Sequence, residues 1–370
     1  MDLTILGGGH GAFAAAAALA ESGHTVRWWR RDTAALAALG ARGALGIRDH
    51  RGLRQVPVGR AARAGAIRPV ADLAEAVRGA RLVVVPLPAT AHADLAPHLA
   101  PLLGDGQVVL LPPGTFGTVL FARAVADAGS GAEVAFAETG TLPYLARTHG
   151  PHEVAVSAYA TRLPTGVLPA RSADAAFRVL RAAYPAVEPV EDCLSGALMN
   201  AGPVIHPPLI LMNAGPLEHG GSWDIHHEGT QPSVRRVTDA LDAERIAVRE
   251  ALAYRAPHFP LADHYATTGE EWMYGRAAHE RLTGSGDWRE PIDLLHHRYL
   301  QEDTRLGLSF LVSVGRWAGC RTPVAQGLLS IASAVTGTDL YARGRTLESL
   351  DLAGLTRPAL KKLLYEGFSL

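Results

Sequence analysis

Lysine is nearly missing from this 370-residue chain: among 35 basic residues the only lysines are Lys361 and Lys362, close to the C-terminus. Mechanisms built on a desolvated lysine amine, Schiff-base chemistry above all, lose their nucleophile. Cysteine is as scarce. Cys193 and Cys320 stand alone with no CxxC, so neither a disulfide framework nor a cysteine-based zinc site is supported, and both read as buried free thiols. An excess of one charge is also lacking. Acidic residues number 36 and the formal net charge is -1, which leaves no basic footprint for nucleic acid. The opening Met1-Asp2-Leu3-Thr4-Ile5-Leu6 runs straight into glycines with no positively charged region and no long apolar segment. No membrane partner follows, and the cytoplasm is the expected location.

What is present is enough chain for two hydrophobic cores, since single cores stop growing well before this length. Hydrophobic residues make up 48% and charged residues 19%, the balance of a globular protein. Short apolar runs at 3–7, 25–29, 81–87 and 107–112, with another at 133–137, alternate with alanine-rich helical stretches at 11–22, 71–78 and 90–103. That alternation predicts an α/β doubly wound parallel sheet. From about residue 191 the strand signal fades and helical patterns at 233–254, 304–318 and 323–336 take over. The expectation is a nucleotide-binding domain over 1–190 and an all-helical domain over 191–370.

Gly7-Gly8-Gly9-His10-Gly11-Ala12 fits GxGxxA between the first strand and a helix, the context in which a Rossmann-type dinucleotide fingerprint has meaning. Gly7 allows the tight turn and Gly9 lets backbone approach a pyrophosphate. His10 and Gly11 open the helix, whose N-terminus favours anions, and Ala12 permits close packing on the strand. The second strand ends in Trp28-Trp29-Arg30-Arg31-Asp32, where an NAD enzyme usually places an acid for the ribose hydroxyl. Here the tip is basic, so Arg30 and Arg31 favour the 2′-phosphate of NADP(H) over NAD(H); the open alternatives are Asp32 as ribose acid and two solvated arginines. Pro88, after the fourth strand, is expected near the nicotinamide half of the cofactor.

Further along stand Glu138-Thr139-Gly140-Thr141-Leu142-Pro143-Tyr144, Asn200 to Asn213 (NAGPVIHPPLILMN), Glu228-Gly229-Thr230, Asp242-Ala243-Glu244-Arg245, Arg298-Tyr299-Leu300-Gln301-Glu302-Asp303 and Gly344-Arg345-Thr346-Leu347-Glu348. In this order they resemble the opine dehydrogenase family, the octopine and nopaline dehydrogenase type, across nearly the whole chain. The resemblance implies an NAD(P)H-dependent enzyme that condenses an amino acid or other amine with a 2-keto acid and reduces the imine. It also implies a His–Asp pair and a carboxylate-binding arginine, which fall on His206, Asp303 and Arg298. Thr139 and Asn200 are the further substrate-binding candidates. His226-His227 stand where the family places an aromatic residue before Glu228-Gly229, a departure that bears on the amino-acid substrate.

These residue types suit that chemistry. A histidine titrating near neutrality gives a proton to the keto oxygen and later helps expel it as water. A carboxylate on its other nitrogen fixes the tautomer. An arginine fork grips a carboxylate through two parallel bonds. Plainer readings exist for each: His206 before Pro207-Pro208 as a helix break, Asp303 as a helix N-cap, Asn200 as a turn cap. On an α-helix Arg298 and Asp303 would lie about 140° apart, so they share a site only if the helix is interrupted. No metal is expected, since His219, His226, His227 and Glu218 lack HExxH-like spacing. A hydroxyacid or sugar-phosphate dehydrogenase and a non-catalytic nicotinamide-binding protein are the competing functions. The first leans on a catalytic lysine, and Lys361 and Lys362, in a terminal helix, are poorly placed to be one. The expected partners are the two small substrates; the two domains are expected to close over them, and a homodimer is compatible with the sequence.

Overall fold

The structure, a computed structural model, describes residues 1–61 and 63–368. Its contacts fall into two compact units. One takes Met1–Leu87, Ala91–Gly196 and the chain from Lys362 onward; the other takes Pro88–Thr90 and Ala197–Lys361. The division expected near 191 thus falls at 197, and two short segments change sides. Periodicity cannot mark such exchanges, because they depend on which partners each segment meets.

The first unit is built on β1 (Asp2–Leu6), β2 (Thr25–Trp29), β3 (Ala66–Pro69), β4 (Leu82–Val84), β5 (Val108–Leu111), β6 (Ala135–Thr139), β7 (Leu163–Leu168) and β8 (Val187–Pro189). They form one sheet in the order β8-β7-β6-β5-β4-β1-β2-β3. All pairs are parallel except β6 with β7. The order reverses at β1, and the crevice at the carboxyl ends beside such a switch is where α/β sheets bind ligands. Every strand expected from an apolar run is there. The strands not foreseen include a second sheet of Gly52–Pro57, Ala44–Asp49, Glu153–Tyr159 and Tyr144–Thr148, of which Gly52–Pro57 is mostly solvent-facing.

Helix α1 (His10–Glu21) buries Ala12, Ala14, Ala15, Ala16, Ala17 and Ala20. Small side chains let it approach the strands closely. Trp28 fills the space beside it, with Phe13 edge-on at 4.8 Å, and its indole N–H donates to the Gly7 carbonyl at 2.7 Å.

In the second unit the main helices are α2 (Gly202–Met212), α3 (Pro232–Ala251), α4 (Ser309–Ala318) and α5 (Pro323–Thr336). Among the described residues its only strand pairing is Trp223–Asp224 with Arg289–Glu290. The Asp242-Ala243-Glu244-Arg245 motif on α3 is scaffold. Arg245 donates to Asp242 at 2.6 Å, to the Leu198 carbonyl at 3.1 Å and to the His258 carbonyl at 2.8 Å, while Asp242 accepts from the Leu261 N–H. Glu244 accepts from the N–H groups of Val324 and Ala325, meeting the unsatisfied donors at the start of α5. Helix α6 (Arg357–Glu366) carries both lysines, which are solvent-exposed. Cys193 is buried as expected, but Cys320 is only partly so, because it follows the Gly319 C-cap of α4 where the chain turns out. No helix among the described residues is long and apolar enough to cross a membrane.

Candidate active site

The second unit gathers its polar groups where α2 meets the segment before α4. Asn200 accepts the Gly202 N–H at 3.0 Å, so its side chain serves the start of α2, the turn-capping alternative. A Cβ at Gly202 would strike Asp303, and one at Gly307 would strike Pro203; glycine at both positions permits this close approach. His206 lies inside α2, which continues through Pro207 and Pro208. The helix-break reading is therefore corrected: α2 continues through both prolines, although at its sixth and seventh positions each removes one intrahelical donor. His206 Nδ1 lies 2.7 Å from Asp303 Oδ2, both residues buried.

The His206 ring stacks on Tyr299, centroids 3.7 Å apart and planes 8° from parallel. The Tyr299 hydroxyl meets His226 Nε2 at 2.7 Å, and Trp288 packs edge-on to His226 at 5.0 Å. One of the two histidines in the departing position is thus built into the cluster. The other, His227, is exposed.

Asp303 is not a helix cap. The helix expected from residue 304 begins earlier, as a ten-residue π-helix over Tyr299–Leu308 that runs directly into α4. Its i→i+5 spacing is visible in the Thr304 hydroxyl, which donates to the Tyr299 carbonyl at 2.7 Å. Each π turn takes more residues than an α turn, so residues five apart return toward one face. Arg298 and Asp303 are five apart, and the change of helix type supplies what an interruption was expected to supply.

Arg298 is half-buried, its guanidinium 5.0 Å from the Tyr299 ring and 3.9 Å from Glu302. Burial opposes its charge, but Tyr299, Asp303 and Glu302 outweigh that and hold its pKa above the ordinary value. Both carboxyls go the other way. Burial pushes the Asp303 pKa up against the pull of Arg298, and burial together with the Asp303 charge pushes Glu302 up. Glu302 also grips backbone, accepting the Ala89 N–H at 2.7 Å, while Arg345 donates to the Ala89 carbonyl at 2.8 Å. Pro88 therefore sits beside a residue whose two backbone groups are both clamped. Sequence reasoning singled out neither Tyr299 nor Glu302. The signal was the five-residue step from Arg298 to Asp303, which fits a π-helix better than an α-helix.

In the first unit, Gly7 has φ 129°, a conformation side chains rarely adopt. A Cβ at Gly8 would meet Arg30 Nε at 2.7 Å, whereas one at Gly9 would meet nothing within 4 Å. Gly9 therefore leaves open space at the start of α1, as a pyrophosphate requires, and the residues present fit a dinucleotide. His10 Nδ1 accepts from the Thr148 N–H at 3.0 Å; Gly11 lies near Leu142 and Pro86. Arg30 covers the glycine loop and pairs with Asp32 at 3.5 Å. Asp32 caps the next helix through the Ala35 N–H at 2.9 Å, and Arg31 is exposed. Thr139 is fully buried and its hydroxyl donates to the Thr141 carbonyl at 2.6 Å. Its donor is committed to backbone at the end of β6, and the hydroxyl oxygen keeps its acceptor lone pairs.

Two stretches of the chain match known families. Residues 189–336 match the family described as NAD/NADP octopine/nopaline dehydrogenase, alpha-helical domain, and residues 2–112 match NAD-dependent glycerol-3-phosphate dehydrogenase N-terminus. The chain is 31% identical over 367 residues to the opine dehydrogenase of Arthrobacter sp. (strain 1C), covering 96% of this chain and 97% of that one. Among solved structures, octopine dehydrogenase in complex with NADH and agmatine superposes with TM-score 0.72 at 18% identity over 100% of this chain and 99% of that one. Yersinopine dehydrogenase with NADP+ bound gives 0.67 at 15% identity over 99% and 98%.

Proposed function

We propose that this chain, which belongs to the octopine/nopaline dehydrogenase family, carries out its reaction through His206, Asp303 and Arg298. It is an NAD(P)-dependent oxidoreductase acting on CH–NH, joining an amino acid to a 2-keto acid through an imine. The observation that carries the assignment of residues is the 2.7 Å His206–Asp303 bond in the second unit, with Arg298 one π turn away.

A nicotinamide dinucleotide held at the glycine loop 7–12 would supply the hydride for imine reduction. The protein supplies proton transfer and position. Asp303 on Nδ1 fixes the His206 tautomer, leaving Nε2 to give a proton to the keto oxygen as the amine adds and to help release it as water. Stacking on Tyr299 keeps the ring plane fixed, so proton transfer is aimed at one point. Arg298 holds the keto-acid carboxylate through its fork. Arg298→Lys keeps the charge and loses the fork, so KM for the keto acid should rise far more than KM for the amine; equal rises in steady-state assays would remove Arg298 from that role.

The same reading extends to the cofactor. Arg30 covers the glycine loop and Asp32 is occupied as a helix cap, which favours NADP(H) through a charge-assisted bond to the 2′-phosphate. Loss of such a bond is worth about 1.5–3 kcal/mol, so Arg30→Ala with Arg31→Ala should lower kcat/KM for NADPH about ten- to a hundredfold relative to NADH. A preference for NADH that survives the double replacement overturns it. A hydroxyacid or sugar-phosphate dehydrogenase remains disfavoured, because Lys361 and Lys362 are exposed on α6.

A further inference from the structure

Three segments of the second unit meet around the His206 ring, and two of them already have a part in the chemistry. Helix α2 carries His206 and the π-helix carries Asp303. The third is the turn between Trp223–Asp224 and α3, which carries His226. That turn is fixed at many points. Asp224 Oδ1 accepts the N–H groups of His226 and His227, each at 3.0 Å, and Glu228 Oε2 accepts the Asp224 N–H at 2.8 Å. The Thr230 hydroxyl donates to the His226 carbonyl at 2.6 Å. Asn213, the C-cap of α2, donates through its amide nitrogen to the Leu209 carbonyl at 2.8 Å and to the Gly229 carbonyl at 3.1 Å. A Cβ at Gly229 would strike the Ile225 carbonyl, so the turn closes this tightly only with glycine there. The helix holding His206 and the turn holding His226 are therefore tied directly to each other.

Tyr299 lies between the two histidines. Its ring stacks on His206 at 3.7 Å and its hydroxyl meets His226 Nε2 at 2.7 Å. Trp288, brought alongside by the pairing of Trp223–Asp224 with Arg289–Glu290, packs edge-on to the His226 ring at 5.0 Å. All four rings are buried. Stacked rings resist tilting but slide and turn easily in their own planes, because the attraction between faces has little direction. A hydrogen bond at the hydroxyl end of the phenol is directional and removes that freedom.

We propose that His226 is a positioning residue for the reaction: its Nε2 holds the Tyr299 hydroxyl, Tyr299 holds the His206 ring, and His206 Nε2 is thereby kept aimed at the oxygen it protonates. The inference rests on the acid–base role given to His206 above. His226 passes no proton to substrate. Its contribution is alignment, where a displacement of about 1 Å can cost about 10²-fold in rate.

Kinetics of a small set of variants of the full chain, with melting temperatures and fluorescence titration of NADPH, tests this. His226→Phe fills the site but offers no nitrogen to the hydroxyl, so kcat should fall about ten- to a hundredfold while both substrate KM values and the cofactor Kd stay within about twofold. In His226→Gln the amide falls near the Nε2 position and keeps the bond without a group that transfers protons; kcat should stay within about threefold of the wild type. Tyr299→Phe keeps the stack and loses the hydroxyl. Adding His226→Phe to it should lower kcat no further, since both changes remove one and the same bond. In a His206→Ala background, His226→Phe should leave the residual rate within about twofold, because it acts through the missing ring. A loss in His226→Gln as deep as in His226→Phe would make the imidazole a proton carrier and overturn the proposal. So would fully additive losses in the Tyr299→Phe, His226→Phe pair, or an unchanged kcat in His226→Phe. Near-normal turnover in His206→Ala overturns the acid–base reading and this proposal with it, whereas the other adverse results overturn the proposal alone.

Discussion

In His206→Ala, kcat for reductive condensation is expected to fall by about 10²–10⁴ while the dissociation constant of the cofactor stays near its wild-type value. The split follows from placement. His206 belongs to α2 in the second unit, whereas the glycine loop and Arg30 belong to the first. Removing the imidazole takes away proton transfer to the keto oxygen and strips Asp303 of its 2.7 Å partner. Steady-state kinetics with fluorescence titration of NADPH measures both quantities. Near-normal turnover in a variant that still reduces imines would move the acid–base role to another residue, with His226 a neighbouring histidine whose ring lies 5.9 Å away.

Asp303→Asn should give the second large loss, with a different signature. The amide keeps the shape but not the charge that steadies an imidazolium, so kcat falls and the pH dependence of kcat/KM changes form, with smaller effects on binding. Stability should respond too. Burial raises the Asp303 pKa above its unfolded value, so the folded chain holds a proton that the unfolded chain releases. That contribution is fully present below the ordinary carboxylate range and is lost as pH rises through the raised value. The melting temperature of the wild type should therefore decline across that window, and Asp303→Asn should decline less. Glu302, shifted the same way, keeps part of the slope in both proteins. Identical slopes in the two would mean that Asp303 folds already ionised.

Much of this was legible in the sequence, for reasons that differ by element. GxGxxA between a strand and a helix has few alternative geometries, and the apolar runs that became β1, β4 and β5 are buried on both faces, where hydrophobicity alone is informative. His206 and Asp303 were reachable only through resemblance. They are 97 positions apart, and nothing in composition or period joins them. The π-helix was not legible, because Leu300, Leu306 and Leu308 suit an α-helix equally well; it is seen only where the stretch packs closely on Gly202 and Pro203. The backbone bond of Thr139 could not be read from sequence, because a hydroxyl at a strand end serves substrate and backbone alike until its partner is seen. The clamp on Ala89 was beyond reach, since Glu302 looks like any solvated acid until its burial is known.

The π-helix also bears on how such a protein diversifies. Adding or dropping one codon in an α-helix rotates everything on one side of the change by about 100°, which usually ruins a core. A stretch already wound with surplus residues can absorb the change by passing between π and α winding, while α4 beyond it keeps its seat. A single-codon insertion or deletion within 299–308 thus becomes a way to swing Arg298 around the helix axis while the downstream fold stays fixed. A change of length in this short stretch would then give Arg298 new neighbours without altering how the rest of the second unit folds.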